Sequence, residues 1–282
     1  MRKETTIGGK QCYLYGFDEG GSGCPVAALP LLVQPADDHD LAVLDSEVAE
    51  IQRLYGAGFR LTAFKVDDWN ADLSPWEAPP AFGNEPFGGK AAQTLDYIEN
   101  ELLPALQKGI HVGSDGAAGD GASGGDGAAA SDAAPGAPDA PISDAPVILG
   151  GYSLAGLFAL WAGTRSERFR GIAAASPSVW FPGWIEYAEK YWQSAQEGTG
   201  QSDSLKNGPQ RIYLSLGDKE ERTRNQQMAR VGDCIRRQHE ILTAAGIANT
   251  LVFEQGNHFK EPDLRTARAF AWVLKGLRAE AK

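Results

Sequence analysis

Chemistry is most legible in the stretch Val147-Ile148-Leu149-Gly150-Gly151-Tyr152-Ser153-Leu154-Ala155-Gly156-Leu157-Phe158. A continuous apolar run that reads as a buried strand enters a glycine-flanked turn, and an apolar helix starts at once. Gly151-x-Ser153-x-Ala155 follows the nucleophile-elbow pattern Gly-x-Ser-x-Gly, with Ala155 in place of the second glycine. Strand and helix meet at this turn, so the residues two before and two after the serine must be small. Gly151 meets that demand, Ala155 adds one methyl, and Gly156 beside it leaves room. Such a turn imposes strained backbone angles on its serine and lifts the hydroxyl above the sheet, where it can attack an acyl carbon. The first amides of the following helix have no intrahelical acceptor, which makes the Leu154 amide a first oxyanion donor. The competing reading, a glycine-rich turn with an incidental serine, has no need of partners further along the chain.

Partners are present. A serine hydroxyl needs a base, and the chain has four histidines. His111 borders a low-complexity stretch, and His239 lies among Arg236, Arg237, Gln238 and Glu240 in a helical segment; both read as solvated. His39 follows the first buried strand and precedes the serine. His258, in Phe253-Glu254-Gln255-Gly256-Asn257-His258-Phe259, follows the last strand pattern and precedes the last helix, on a loop that can carry an imidazole over Ser153. The acid that orients it is expected between serine and histidine, at a strand end. Ile212-Tyr213-Leu214-Ser215-Leu216-Gly217-Asp218-Lys219-Glu220-Glu221 offers that position. A Gly-x-x-acid spacing, common in α/β-hydrolases, selects Glu220; Asp218, nearer the strand end, is second and Glu221 third. An exposed charged turn is the alternative for at least two of them, given Lys219 and Arg222.

A second oxyanion amide is expected from the loop after the first core strand, Val33-Gln34-Pro35-Ala36-Asp37-Asp38. Pro35 has no amide hydrogen, so Ala36 is the candidate. Two other strand-end loops carry aromatics: Trp69 with Trp76, and Trp180 with Phe181 and Trp184. Trp69 and Trp180 are the candidate pocket walls, since aromatic faces bind rings and sugars, although such residues equally serve to pack loops.

The elements that position these residues alternate. Thr5–Phe17 reads as an edge strand or hairpin around Gly8 and Gly9, and Leu29–Val33 as a strand buried on both faces. Asp45–Gly56 shows helical spacing through Val48, Ile51 and Leu54. Arg60–Val66 forms a second strand and leads into a polar loop, Asp67–Asn70. Ala91–Leu106 is amphipathic, with Leu95, Ile98, Leu102, Leu103 and Leu106 on one stripe. Strands follow at Pro146–Leu149, Gly171–Ala175, Arg211–Leu216 and Thr250–Phe253, with helices at Leu154–Gly163, Met228–Ala245 and Asp263–Leu277. This alternation predicts an α/β fold with a mostly parallel central sheet and helices on both faces. In such sheets ligands sit at the C-terminal ends of strands, where the candidate residues fall.

Residues 112–145 are Gly, Ala, Ser, Asp and Pro with almost nothing apolar larger than alanine, and cannot bury enough surface to offset their ordering entropy. The segment is expected to be a disordered insertion inside a single α/β-hydrolase domain spanning residues 1–282. It also holds six Asp and no Lys or Arg, more than half of the net charge of −11. The mildly acidic remainder argues against nucleic acid and anionic membranes as partners. No apolar run approaches the roughly 20 residues that span a bilayer. Three widely spaced cysteines (Cys12, Cys24, Cys234) and no apolar leader point to a cytoplasmic protein. No metal cluster, P-loop or dinucleotide fingerprint stands out, so no cofactor and no metal are expected.

The elbow Gly150-Gly151-Tyr152-Ser153-Leu154-Ala155-Gly156-Leu157-Phe158, the Ser176-Pro177-Ser178-Val179-Trp180 loop, the Gly217-Asp218-Lys219-Glu220 turn and the Gly256-Asn257-His258-Phe259 loop resemble the esterase D-like group of α/β-hydrolases. That group includes siderophore esterases and S-formylglutathione hydrolases. The likeness runs from about Leu29 to the C-terminus, apart from the insertion. It implies a metal-independent hydrolase acting on a small-molecule acyl ester or thioester through an acyl-enzyme, with Ser153 as nucleophile and His258 as base. Departures at Ala155 and Gln34-Pro35 keep two alternatives open: an acyltransferase on the same machinery, and a non-catalytic α/β-hydrolase-like binding protein.

Overall fold

The computed structural model describes residues 2–16, 28–81, 83–107, 145–196 and 208–280. The low-complexity insertion, apart from Ala145, lies outside the described residues, as do His111 and Cys24.

Eight strands form the main sheet, and their sequence explains their order. Lys3–Ile7 (β1) and Lys10–Tyr15 (β2) make the antiparallel hairpin expected around Gly8 and Gly9. Leu31–Ala36 (β3) and Arg60–Lys65 (β4) are parallel, joined by the helix Asp38–Tyr55 (α1). Val147–Tyr152 (β7), Phe169–Ala175 (β8), Arg211–Gly217 (β9) and Ala248–Glu254 (β10) continue the parallel sheet. The full order is β1-β2-β4-β3-β7-β8-β9-β10, with a separate two-stranded sheet from Glu77–Ala78 (β5) and Phe87–Gly88 (β6). Strand β3 is the switch point: the chain winds outward through β4 on one side and through β7 on the other.

Helices cover both faces. α1 and the closing helix Pro262–Glu280, with Leu44, Ile51, Phe270, Val273 and Leu274 buried, pack on one face. On the other lie the helix Leu154–Gly163, buried along its whole length, and the helices Ala91–Tyr97 and Leu103–Gln107, joined by a π-helical turn at Ile98–Leu102. Each fully buried Leu, Ile or Phe contributes roughly 1.5–3 kcal/mol, so these two aliphatic layers hold the sheet. In chain order the helices are α1, α2 (Trp69–Leu73), α3 (Ala91–Tyr97), α4 (Leu103–Gln107), α5 (Leu154–Gly163), α6 (Trp184–Gln196), α7 (Val231–Ala244) and α8 (Pro262–Glu280). No described helix is long and apolar enough to cross a membrane.

Several boundaries differ from the sequence-based expectation, each for a local reason. α1 starts at Asp38, well before Asp45, because the Asp37 side chain caps the amides of His39 and Asp40 while Asp40 reaches back to the Asp37 amide. The polar stretch at Asp67–Asn70 is not all loop: Asp68 accepts from the Ala71 amide at 2.9 Å and starts α2. β3 runs on through Pro35. Its odd-numbered residues face β7, which pairs with β3 only as far as Val33, so the missing proline amide leaves no ladder bond unmade. α6 was not anticipated.

Candidate active site

Four neighbouring parallel strands end side by side, and the turn after each contributes a polar side chain. Ser153, at the end of β7, has φ 57° and ψ −119°, backbone angles that cost a non-glycine residue about 1–3 kcal/mol. Its amide donates to the Ala175 carbonyl at 3.1 Å, and its carbonyl accepts from the amides of Leu157 and Ser178. The turn is held from both sides. A Cβ at Gly151 would lie 2.6 Å from the Ala155 Cβ, so the elbow has room for one methyl between these positions and Ala155 supplies it.

The Ser153 hydroxyl lies 2.9 Å from His258 Nε2, and His258 Nδ1 lies 2.7 Å from Glu220 Oε2. The imidazole is a quarter exposed, whereas the Glu220 side chain is 4% exposed. Glu220 is well satisfied for a buried carboxylate. Its Oε1 accepts from the Gly217 amide at 2.6 Å, the Ser176 hydroxyl at 2.9 Å and Arg265 Nη1 at 2.9 Å. Burial alone would push this carboxyl up. The hydrogen bond and charge of His258, the Gly217 amide and the Ser176 hydroxyl together outweigh it and hold the carboxyl below its usual range. Ser176, at the end of β8, is itself strained at φ 41°.

The structure therefore brings Ser153, His258 and Glu220 together and leaves the other acid candidates elsewhere. Asp218 accepts from the Gly256 amide at 2.8 Å, bracing the histidine loop from below, and Glu221 pairs with Arg236 at 2.9 Å. His239 bonds Asn249 and is half-buried, not free in solvent.

Leu154 is the first residue of α5, where its amide has no intrahelical acceptor. Ala36 does not occupy the place expected of it. Its carbonyl accepts from the Val66 amide on the β4 side at 3.1 Å, and in an extended residue the amide points the same way. The Ala36 amide therefore faces β4, away from Ser153. The amide of Asp37, next in the chain and turned the other way, makes only a long 3.3 Å bond to Asp40.

Two cavities meet at His258 and Phe259. The smaller, about 170 Å³, is lined by Asp37, His39, Asp40, Trp69, Tyr152 and Ser153. The larger, about 370 Å³, contains Trp180. Trp69 thus lines one of the two cavities that share the imidazole and Trp180 the other. Trp76 and Trp184 are structural: Trp76 donates to the Pro182 carbonyl and packs on Phe181, and Trp184 is buried against Gln238. Phe259, 86% exposed, forms the rim shared by both cavities. Burial and the neighbouring Asp37 charge raise the Asp40 carboxyl to about 6. Among the described residues, no three His, Cys, Asp or Glu side chains converge as metal ligands.

Sequence reasoning missed three residues here. Ser178 Oγ lies 3.3 Å from Ser153 Oγ and is buried. Tyr152 donates to the His258 carbonyl at 2.7 Å, and burial followed by the Glu220 charge raises its phenol to about 12, keeping it a donor at neutral pH. Arg265, on α8 and 1% exposed, is the keystone. Besides Glu220 it donates to the Tyr152 hydroxyl at 3.0 Å, to the Ser176 hydroxyl at 3.3 Å, and to the carbonyls of Gln255 and Asn257 at 3.3 and 3.1 Å. One guanidinium thus ties the acid, the histidine loop and the strand-end tyrosine together.

The family model described as "Putative esterase" matches residues 137–260, which contain Ser153, Glu220 and His258. A search of curated protein sequences gives no match. Among solved structures, the siderophore hydrolase EstA from Aspergillus nidulans is similar with a TM-score of 0.61 at 17% identity, covering 94% of this chain and 90% of that one. The IroE-like serine hydrolase from Shewanella oneidensis gives a TM-score of 0.65 at 12% identity, covering 98% and 80%. The enterobactin esterase FES from Shigella flexneri gives 0.57 at 16% identity, covering 98% of this chain and 59% of that one. These likenesses show the fold: α/β, with a mostly parallel central sheet and helices on both faces.

Proposed function

We propose that the chain is a serine esterase, hydrolysing a carboxylic ester or thioester of a small molecule through an acyl-enzyme. The observation that carries this reading is the unbroken relay from Ser153 Oγ through His258 to Glu220, at 2.9 and 2.7 Å, set on a strained elbow. The matched family model and the named activities of the structural neighbours point the same way.

In this reading His258 Nε2 takes the Ser153 proton as Oγ attacks the carbonyl carbon. The tetrahedral oxyanion draws on the Leu154 amide and on the Asp37 amide, whose long bond to Asp40 an incoming oxyanion can displace. The imidazolium returns its proton to the leaving alkoxide or thiolate, and a water activated by the same imidazole releases the acid. Glu220, ionised and braced by Gly217, Ser176 and Arg265, fixes the ring and stabilises its charged form. Trp69 and Trp180 flank the bound ester. One α/β-hydrolase domain carries all of this, with residues 112–145 as an insertion between α4 and β7.

The test is Ser153→Ala assayed with p-nitrophenyl acetate and an active-site phosphonate. Turnover should fall by about 10³-fold or more, labelling should vanish, and the urea midpoint should stay near wild type. Retained turnover or retained labelling would remove Ser153 from the mechanism.

A further inference from the structure

The turn after β9, Asp218-Lys219-Glu220-Glu221-Arg222-Thr223-Arg224, carries three acids and three cations, and its sequence alone reads as a neutral, self-paired loop. The fold sorts them by sign. Asp218 turns to the Gly256 amide, Glu220 goes inward to His258 and Arg265, and Glu221 leaves to pair with Arg236. Lys219, Arg222 and Arg224 remain, exposed and with no side-chain partner among the described residues, and all three line the 370 Å³ cavity beside His258. The acid on that wall is Glu220, whose charge is already taken up by Arg265 and the imidazole. Trp180, Met228, Val231 and Phe259 complete the cavity with apolar surface. The adjoining cavity, which holds Ser153, has the reverse character, with Asp37 and Asp40 on its wall. In a chain of net charge −11, a cluster of unpaired cations at the reactive imidazole is a local inversion of the field.

We infer that the larger cavity is an anion subsite, and that the preferred esters carry a carboxylate or similar anionic group on an apolar body. This rests on the esterase reading above. The ester straddles the His258–Phe259 rim, with its carbonyl over Ser153 and its charged end among Lys219, Arg222 and Arg224. Guanidinium groups suit a carboxylate because they can bind it through two parallel hydrogen bonds.

Two matched substrate pairs test it. In one the charge is on the acyl side, the p-nitrophenyl half-ester of adipic acid against p-nitrophenyl hexanoate. In the other it is on the leaving group, 4-acetoxybenzoate against its methyl ester. The wild-type protein should favour the anionic member of at least one pair in kcat/KM, and the preference should shrink as salt is raised. In Arg222→Gln/Arg224→Gln that preference should fall about tenfold, as expected for two exposed charge contacts, and Arg222→Lys/Arg224→Lys, which keeps the charge and loses the paired hydrogen bonds, should fall between the two. No preference in either pair, or a preference unchanged in the Gln variant, overturns the subsite. If no ester is turned over, the esterase reading fails on its own account. Calorimetric titration of the Ser153→Ala protein with 4-acetoxybenzoate and its methyl ester then decides the subsite. Tighter binding of the anion, lost in the Gln background, supports it, and equal binding overturns it.

Discussion

Replacing Arg265 by methionine is the most informative single perturbation of this molecule. Methionine is unbranched and adaptable, so the packing of α8 changes little; what disappears is the guanidinium. At 1% exposure no water can take its place beside Glu220, whose side chain is 4% exposed. The loss leaves a buried carboxylate without its cation and the carbonyls of Gln255 and Asn257 without a donor. Breaking a buried ion pair from one side costs about 3–5 kcal/mol, against a total stability of about 5–15 kcal/mol. With a urea dependence near 3 kcal/mol per molar, the unfolding midpoint should fall by roughly 1–2 M. Glu220→Gln in the same background removes the stranded charge, so Arg265→Met/Glu220→Gln should be more stable than Arg265→Met by about 1 kcal/mol or more. Arg265→Lys should fall between, because an ammonium group cannot span the carboxylate and the loop carbonyls together. A midpoint for Arg265→Met within about 0.3 M of wild type, a loss under about 1 kcal/mol at that urea dependence, would refute the keystone argument. So would a double variant that merely sums the two single losses.

Ser153→Gly should raise stability by about 1 kcal/mol by relieving φ 57°, while abolishing ester turnover; a lower melting temperature would contradict the strain. Gly151→Ala should cost about 1–3 kcal/mol because its Cβ would lie 2.6 Å from that of Ala155, and Gly151→Ala/Ala155→Gly should recover part of the loss in urea melts, the contact with the Ala155 backbone at 3.1 Å remaining. Asp40→Asn tests the raised carboxyl. A pKa moved from 3.8 to about 6 means the native state holds that proton more tightly than the unfolded chain. The penalty for ionising it is therefore absent below about pH 4, grows between pH 4 and 6, and is constant above. Two units set a ceiling near 3 kcal/mol, and the lost capping bond subtracts from it. Asp40→Asn should thus gain about 1–2 kcal/mol at pH 7.5 and lose up to about 1 kcal/mol at pH 4, and a gain independent of pH would rule the explanation out.

The parts of the site written in local order were legible in the sequence. Ser153 sits in a strand–turn–helix string and His258 follows the last apolar strand, so spacing and strand type lead to them; for the acid they narrow the choice to Asp218, Glu220 and Glu221, and the partners of each separate the three. Ala36 was misplaced because backbone direction alternates along a strand, and whether an amide faces one neighbour or the other depends on a parity that composition does not reveal. Arg265 was missed because an arginine in an amphipathic helix that also carries Arg268 and Arg278 normally reads as solvent-facing. The available signal was positional: Arg265 stands one turn before Ala269, on the stripe that continues to Val273, all of it buried. α6 carries a similar trace, with Trp184, Ala188 and Trp192 at four-residue intervals and all buried. The sorting of charges after β9 has no such trace, since it depends on Arg236, Gly256 and Arg265 arriving from elsewhere.

The pairing of Leu31, Leu32 and Val33 with Val147, Ile148 and Leu149 has a consequence for the life of the chain before it is finished. During synthesis the first 65 residues can assemble β1, β2, β4 and β3, yet an apolar strand edge then waits bare while about eighty further residues are made before β7 begins at Val147. Loop closure over that distance costs little free energy but much time, and an unpaired edge is where nascent chains adhere to one another. Yield on heterologous production should therefore be governed by translation tempo and holding chaperones more than by the melting temperature of the finished molecule.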